Sequence, residues 1–333
     1  MRWLKRDEGI SMVLVGVLLA VLLALAGMAV DLGVVYAERR ELRNGADAAA
    51  LAVAEDCGRK TKPCDEATAQ ATAEQYADAN AGDAASAVQS IDLTFNSATT
   101  GRVQVVTSAW DPTAGAPGVR VPLLCLLGFS RVDVGGRATA IFDHPASAIT
   151  PLPAIIDVCE FFNAGGYGSG QTTILYFLSP SSTDPGPVEC PSNPAYMDFP
   201  GGFGWLEPNT GGSCGVGLHS GTWAIGSAGE AVPVPECLSA AALKAAIYQQ
   251  DILLPMYDDT RDQEKEYRVF GFSAFHVTAY KLTSGAAYAW PTGFKCPESP
   301  ASTCLKGYFT STTVYTGDPG GEDLGVVLVK LVE

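Results

Sequence analysis

Three hydrophobic periods follow one another along the chain. From Gly9 to Val30 there are 22 residues without a charge, among them six Leu, five Val and one Ile. A helix of that length covers roughly 33 Å, enough for a hydrocarbon core of about 30 Å. A cleaved signal peptide has a shorter apolar region, about 7–15 residues. Here the run leads without a turn signal into more helical sequence, Asp31–Glu55, so the reading is a retained transmembrane helix over 9–30. Beyond it Leu42, Ala46, Ala49, Ala50 and Val53 recur at helical spacing as a stripe of mostly small residues. Arg43 and Asp47 stand four apart and pair weakly, and Gly45 is expected to bend the helix. Pro63, within Cys57–Cys64, ends the helix, and a second Ala-rich helix is predicted over Glu66–Asn80.

The period then shortens to two. Ile91–Phe95, Arg102–Val106 and Val132–Phe142 read as half-buried strands, and Val121–Leu127 as a short helix or buried strand. His144–Ala154, with Pro145, Pro151 and Pro153, reads as a linker or crossover. After it come strands at Thr172–Leu178, Tyr267–Ala279, Gly307–Tyr315 and Leu324–Leu331, one helix at Ser239–Gln250, and long Gly/Pro-rich loops such as Ser179–Gly221. The predicted fold class is α+β: a transmembrane helix continuing into a helical stem, followed by an antiparallel β-rich extracytoplasmic region with disulfides. The boundaries are 1–8 for a cytoplasmic N-terminus, 9–30 for the membrane helix, 31–145 for stem and small sheet, 146–154 for a Pro-rich linker and 155–333 for a second domain.

Charge and cysteines change the picture in two ways. Residues 1–43 carry six basic and five acidic groups, whereas the rest carries 15 basic and 31 acidic ones. So acidic a body repels phosphates, which argues against nucleic-acid binding. Arg2, Lys5 and Arg6 place the N-terminus in the cytoplasm and the body outside. Nine cysteines without a Cys-x-x-Cys fit an oxidising compartment better than a zinc ribbon. The local pairs Cys57/Cys64 and Cys296/Cys304 read as small disulfide loops, with Cys159/Cys190 and Cys214/Cys237 as candidates for longer ones; connectivity does not follow from sequence. Cys125, in an apolar run, reads as a buried free thiol.

Asp7–Glu55 also carries Glu8-Gly9, Val30-Asp31-Leu32-Gly33, Tyr36, Arg39-Arg40, Leu42, Asn44 and Ala46-Asp47-Ala48-Ala49-Ala50-Leu51-Ala52. This stretch resembles the N-terminal segment of the Tad (TadE/TadG-like) membrane proteins of bacterial Flp pilus assembly. Val119–Phe142 is more loosely similar to the end of that family's first unit. The resemblance implies a single-pass envelope protein that assembles or anchors pili, or a minor pilin-like component, with the Ala-rich helix as a pilin-like packing rod. Its implied partners are the lipid bilayer and other pilus or secretion-system proteins. Two departures bear on this. A processed pilin resembles Gly followed by an apolar helix with Glu at its fifth residue, whereas the fifth residue after Gly9 is Leu14. The Asp-x-Ser-x-Ser metal motif of relatives with a von Willebrand A domain is missing.

Enzyme signatures are weak. His144, His219 and His276 form no metal pair, and Gly168-Ser169-Gly170 lacks nucleophile-elbow spacing. The acidic runs Asp258–Asp262 and Asp318–Asp323 read as solvated turns, since neither has calcium-loop spacing. No catalytic, cofactor or metal residue is therefore assigned. Tyr196, Phe199, Phe203 and Trp205 form either a contact patch or a loop plugged into the core. The preferred function is non-enzymatic pilus assembly; the alternatives are a surface adhesin or binding module on a Tad-like anchor, and an extracytoplasmic hydrolase.

Overall fold

The computed structural model describes residues 7–82, 86–111, 113–177, 187–199, 203–207, 214–226, 239–261, 266–283, 286–297 and 303–332. The class is α+β: one long apolar helix, a second helix, and β-rich sequence crossed by disulfides. The chain forms two compact units. The first comprises residues up to 96 with 101–141 and 331–332, the second 97–100 and 142–330.

In the first unit α1 (Asp7–Arg59) is a single helix of 53 residues. Its apolar part is long enough to cross a membrane, and its most apolar window is 0% buried. The outer part behaves in the opposite way: Ala46, Ala49, Ala50 and Ala54 are 0% exposed. Small side chains there let neighbouring backbones approach closely. α2 (Glu66–Asn80) is N-capped by Asp65, whose carboxylate accepts from the Thr68 amide at 2.9 Å. It turns Ala69, Thr72, Ala73 and Ala77 inward. Gly45 does not interrupt the helix. It sits so close to α2 that a Cβ would lie 3.3 Å from the Ala77 carbonyl oxygen. The loop between the helices is held by the Cys57–Cys64 disulfide and by Asp56, which accepts from Lys62, Thr61 and Thr72.

The strands β1 (Ser86–Phe95), β2 (Gly101–Asp111) and β3 (Gly135–Asp143) are neighbours, in that order, in a larger sheet. β2 alternates strictly, with Val103, Val105, Thr107 and Ala109 inward. Thr107 donates its hydroxyl to the Leu42 carbonyl of α1 at 2.9 Å. Gly136 lies against the same carbonyl, where a Cβ would come within 2.5 Å of the oxygen. Ahead of β3 the predicted short element Val121–Leu127 is a 3-10 turn, Leu124–Leu127.

In the second unit the stretch expected as a linker is folded. β4 (Ser147–Thr150) and β5 (Ala154–Asp157) lie in it, and Thr150 is buried and donates its hydroxyl to the Leu152 carbonyl. Pro151 and Pro153 fall between the two strands, so neither removes a ladder donor. α3 (Val158–Asn163) follows, then β6 (Thr173–Phe177), β7 (Phe203–Trp205), β8 (Val216–His219), β9 (Trp223–Ile225), α4 (Ala240–Ile247), β10 (Asp251–Arg261), β11 (Glu266–Lys281), β12 (Thr303–Thr310), β13 (Thr312–Val314) and β14 (Val326–Val332). The main sheet runs β7-β5-β10-β11-β12-β6, with β9 also on β11. β5 and β10 are parallel, while β10, β11, β12 and β6 are antiparallel neighbours.

Both faces of this sheet are covered, because neighbours in a strand point to opposite sides. Ile156, Leu254, Phe275 and Phe309 join the core under α3 and α4; Ile155, Tyr257, Tyr267 and Phe272 join the other. Phe309 meets Phe161 and Phe275 edge-on at 5.1 and 5.0 Å. The Cys159–Cys190 and Cys296–Cys304 disulfides staple loops onto this body. Cys214 is also disulfide-bonded, and Cys237 lies outside the described residues.

Gly136→Ala should lower the stability of the first unit by about 1–3 kcal/mol, because backbone rather than a flexible side chain opposes the added methyl. Chemical denaturation of the full chain in micelles, followed by near-ultraviolet circular dichroism, measures this.

Candidate functional site

Along α1 the residues of the Ala-Asp-Ala-Ala-Ala-Leu-Ala motif divide by face. Ala46, Ala49 and Ala50 are fully buried against the first unit, and Asp47, Ala48, Leu51 and Ala52 are partly buried. Burial pushes the Asp47 carboxyl above its ordinary value, and the neighbouring Arg43 charge opposes the rise. Gly33, Arg39, Arg40 and Asn44 are exposed, and the side of Gly9 is outside the described residues. Asp31, the first charge after the apolar run, is 1% exposed, and its carboxylate accepts the Leu123 amide at 2.8 Å and the Leu124 amide. The motif is thus largely a packing surface, with Asp31 as its one buried polar fastening.

In the second unit the β4–β8 ribbon and β9 line an open groove of about 840 Å³. Ile149 is 75% and Ile225 58% exposed there, beside Leu218, Trp223 and His219. The His219 ring donates from Nδ1 to the Ser220 carbonyl at 2.8 Å. Arg261 lies over the Trp223 ring, 4.2 Å from its centroid. Apolar side chains beside a few polar groups suit a protein or peptide contact. The β4–β8 pairing brings together residues about 70 apart in sequence, so no local signal pointed to it.

The aromatics singled out earlier lie elsewhere. Phe199 is 7% exposed and tilts against Tyr257; Tyr196 stacks on Phe162 at 5.0 Å; Trp205 packs against the main core. Phe199 is thus buried, Tyr196 and Trp205 are partly buried against the main core, and the Phe203 side chain lies outside the described residues. Asp157 is the physical reason for part of this. It caps α3 through the Cys159 amide and pins the Phe199 amide at 2.7 Å. Cys125 is free but exposed, which corrects the expected burial: like Leu123 and Phe129 of the same run, it faces outward.

Among the described residues, the other two histidines and the acidic runs have partners. His276 faces Asp251 at 2.6 Å, directly across the β10–β11 ladder, and Gln249 at 3.4 Å. His144 is buried between the Val326 carbonyl and the Thr99 hydroxyl. The acidic run from Asp258 is strand, not turn; Arg268 holds Asp258 with two bonds of 2.8 and 3.0 Å from the adjacent strand. Asp262 lies outside the described residues. Asp318 exchanges hydrogen bonds with Ser147.

Asp157 gives a pH-dependent prediction. Burial pushes its carboxyl up to about 7, against the two backbone donors that favour the ion. The folded state therefore keeps a proton that the unfolded chain has released above about pH 4. The stability this provides is complete below that value and is lost as pH rises toward 7, by at most about 1.4 kcal/mol per pH unit. Asp157→Asn should flatten that slope; equal slopes in denaturation midpoints from pH 4 to 7 would contradict the assignment.

Comparison with known families agrees with the geometry of α1. Residues 9–56 match the family model described as putative Flp pilus-assembly TadE/G-like. Against the curated proteins and the solved structures the chain finds no match. The matched span covers the apolar half of α1 and the buried stripe together, ending beside the first disulfide. Over residues 9–56 the chain is thus similar to the TadE/G-like family of Flp pilus assembly.

Proposed function

We propose that this protein is a non-enzymatic, single-pass envelope component of Flp/Tad-type pilus assembly, its N-terminus cytoplasmic and its β-rich body extracytoplasmic. The observation that carries the proposal is the division of α1 within one Tad segment. Over Met12–Val30 its exposed side chains are apolar, as in a lipid-facing helix, and its outer half buries the stripe Leu42–Ala54 in its own unit. A filament subunit needs a free helical stripe to pack against its neighbours. Here Ala46, Ala49, Ala50 and Val53 are already covered by α2 and the sheet, and Leu14 stands where a processed pilin resembles Glu. Both features favour a retained membrane component over a filament subunit. The working partners are the lipid bilayer and other pilus or secretion-system proteins.

A second reading is a surface adhesin on a Tad-type anchor, favoured by the groove with exposed Ile149 and Ile225. Deleting the gene separates the two. Loss of surface pili by electron microscopy, restored by the wild-type chain, is the expected result. Normal pili with weakened attachment, reproduced by Ile149→Asp with Ile225→Asp, would favour the adhesin.

A further inference from the structure

We infer that the apolar turn Pro122–Phe129 is a second membrane contact, seated in the interfacial layer of the leaflet next to the stem. The inference rests on the reading of α1 as a membrane-spanning anchor. The segment reads Val121-Pro122-Leu123-Leu124-Cys125-Leu126-Leu127-Gly128-Phe129, nine residues without a charge. Its structure turns apolar groups outward: Leu123 is 43% and Phe129 59% exposed, and Cys125 is exposed too. An isolated patch of this kind has no evident occupant, but this one is fixed in height beside α1. Asp31 is the first polar residue after the membrane run, and its buried carboxylate accepts the Leu123 and Leu124 amides. From there the Leu123 side chain reaches back along the helix to Gly27, where even a Cβ would come within 3.2 Å of it.

Four residues of helix correspond to about 6 Å, so the tip of the Leu123 side chain reaches about that far inside the level of Asp31. Amphipathic elements that lie in a bilayer interface bury their apolar side to about 5–10 Å. The boundaries of the turn are polar. Val119–Arg120 pairs with Arg131–Val132, and both arginines bind Asp111. Trp110, next to Asp111, is 38% exposed, as suits an aromatic at the headgroup layer. The occupant is therefore lipid acyl chain beside the anchor.

The native thiol supplies the probe. In full-length protein reconstituted in phosphatidylcholine vesicles under oxidising conditions, Cys125 is labelled with a nitrobenzoxadiazole maleimide, and Cys125→Ser serves as the blank. Quenching by lipids carrying a nitroxide high on the acyl chain is compared with quenching by dissolved iodide. The same label on Leu22→Cys, in the Cys125→Ser background, reports on the anchor. Shallow lipid nitroxide should quench Cys125 about twofold more than iodide does, as interfacial seating requires. If Leu22→Cys responds to lipid nitroxide while Cys125 responds only to iodide, the turn is in water and the inference falls with the anchor intact. Response of neither site to lipid overturns the anchor and the inference together. A Cys125 label shielded from both quenchers means that protein covers the turn, which also overturns it.

Discussion

Close backbone approach around Leu42 is the constraint on which the first unit depends. There one carbonyl of α1 receives the Thr107 hydroxyl of β2 and lies against Gly136 of β3. One turn further on, Gly45 brings the α2 backbone to the helix's other flank. Such distances admit only hydrogen or methyl-sized groups on the facing surfaces. That is why the buried stripe is Ala46, Ala49 and Ala50 rather than leucine, although leucine would bury more apolar area. The stripe exchanges hydrophobic area for proximity, and proximity converts a helix and three strands into one body.

The same helix meets two solvents. Before Asp31 it exposes large apolar side chains; from Ala46 on, the stripe it turns inward consists mostly of small, buried ones. In lipid a helix needs only apolar bulk and its own hydrogen bonds. In water it needs a covered face. Asp31 marks the junction, and its buried carboxylate is supplied with two backbone amides, so the polar group has partners where bulk water is excluded. A helix built this way spends its stem on its own unit. Among the described residues of the stem, Arg39, Arg40 and Asn44 remain exposed.

Local features of the sequence were legible where one physical signal dominated. The second helix matches its predicted ends, Glu66–Asn80, because Asp65 is a strong cap and alanines fill its inner face. The two short disulfide loops agree with the pairs read from close spacing, and α1 with the run of apolar and then small residues. Competing signals hid other elements. Strand β10 was missed because Pro255 and the Asp258-Asp259 pair read as turn formers; the structure offsets the charges with Arg268 across the ladder. Prolines 151 and 153 likewise hid β4 and β5, whose partners are remote in sequence. Apolar character misled at Cys125, which is exposed, and left Phe199 undecided between patch and core: hydrophobicity does not say which side of a segment will be covered. The groove could not be read at all, since its walls come from strands joined only by the fold.

Amide hydrogen exchange across α1, measured on the full chain in a bilayer mimic, tests the stem packing most directly. If the stripe is locked by α2 and the sheet, amides from Leu42 to Ala54 exchange only when the first unit unfolds, at the same rate and with the same denaturant dependence as Val103 and Val105 of β2. Exchange of the Leu42–Ala54 amides by independent fraying, while β2 stays protected, would mean that the stem stands free of its sheet and is available to neighbouring subunits.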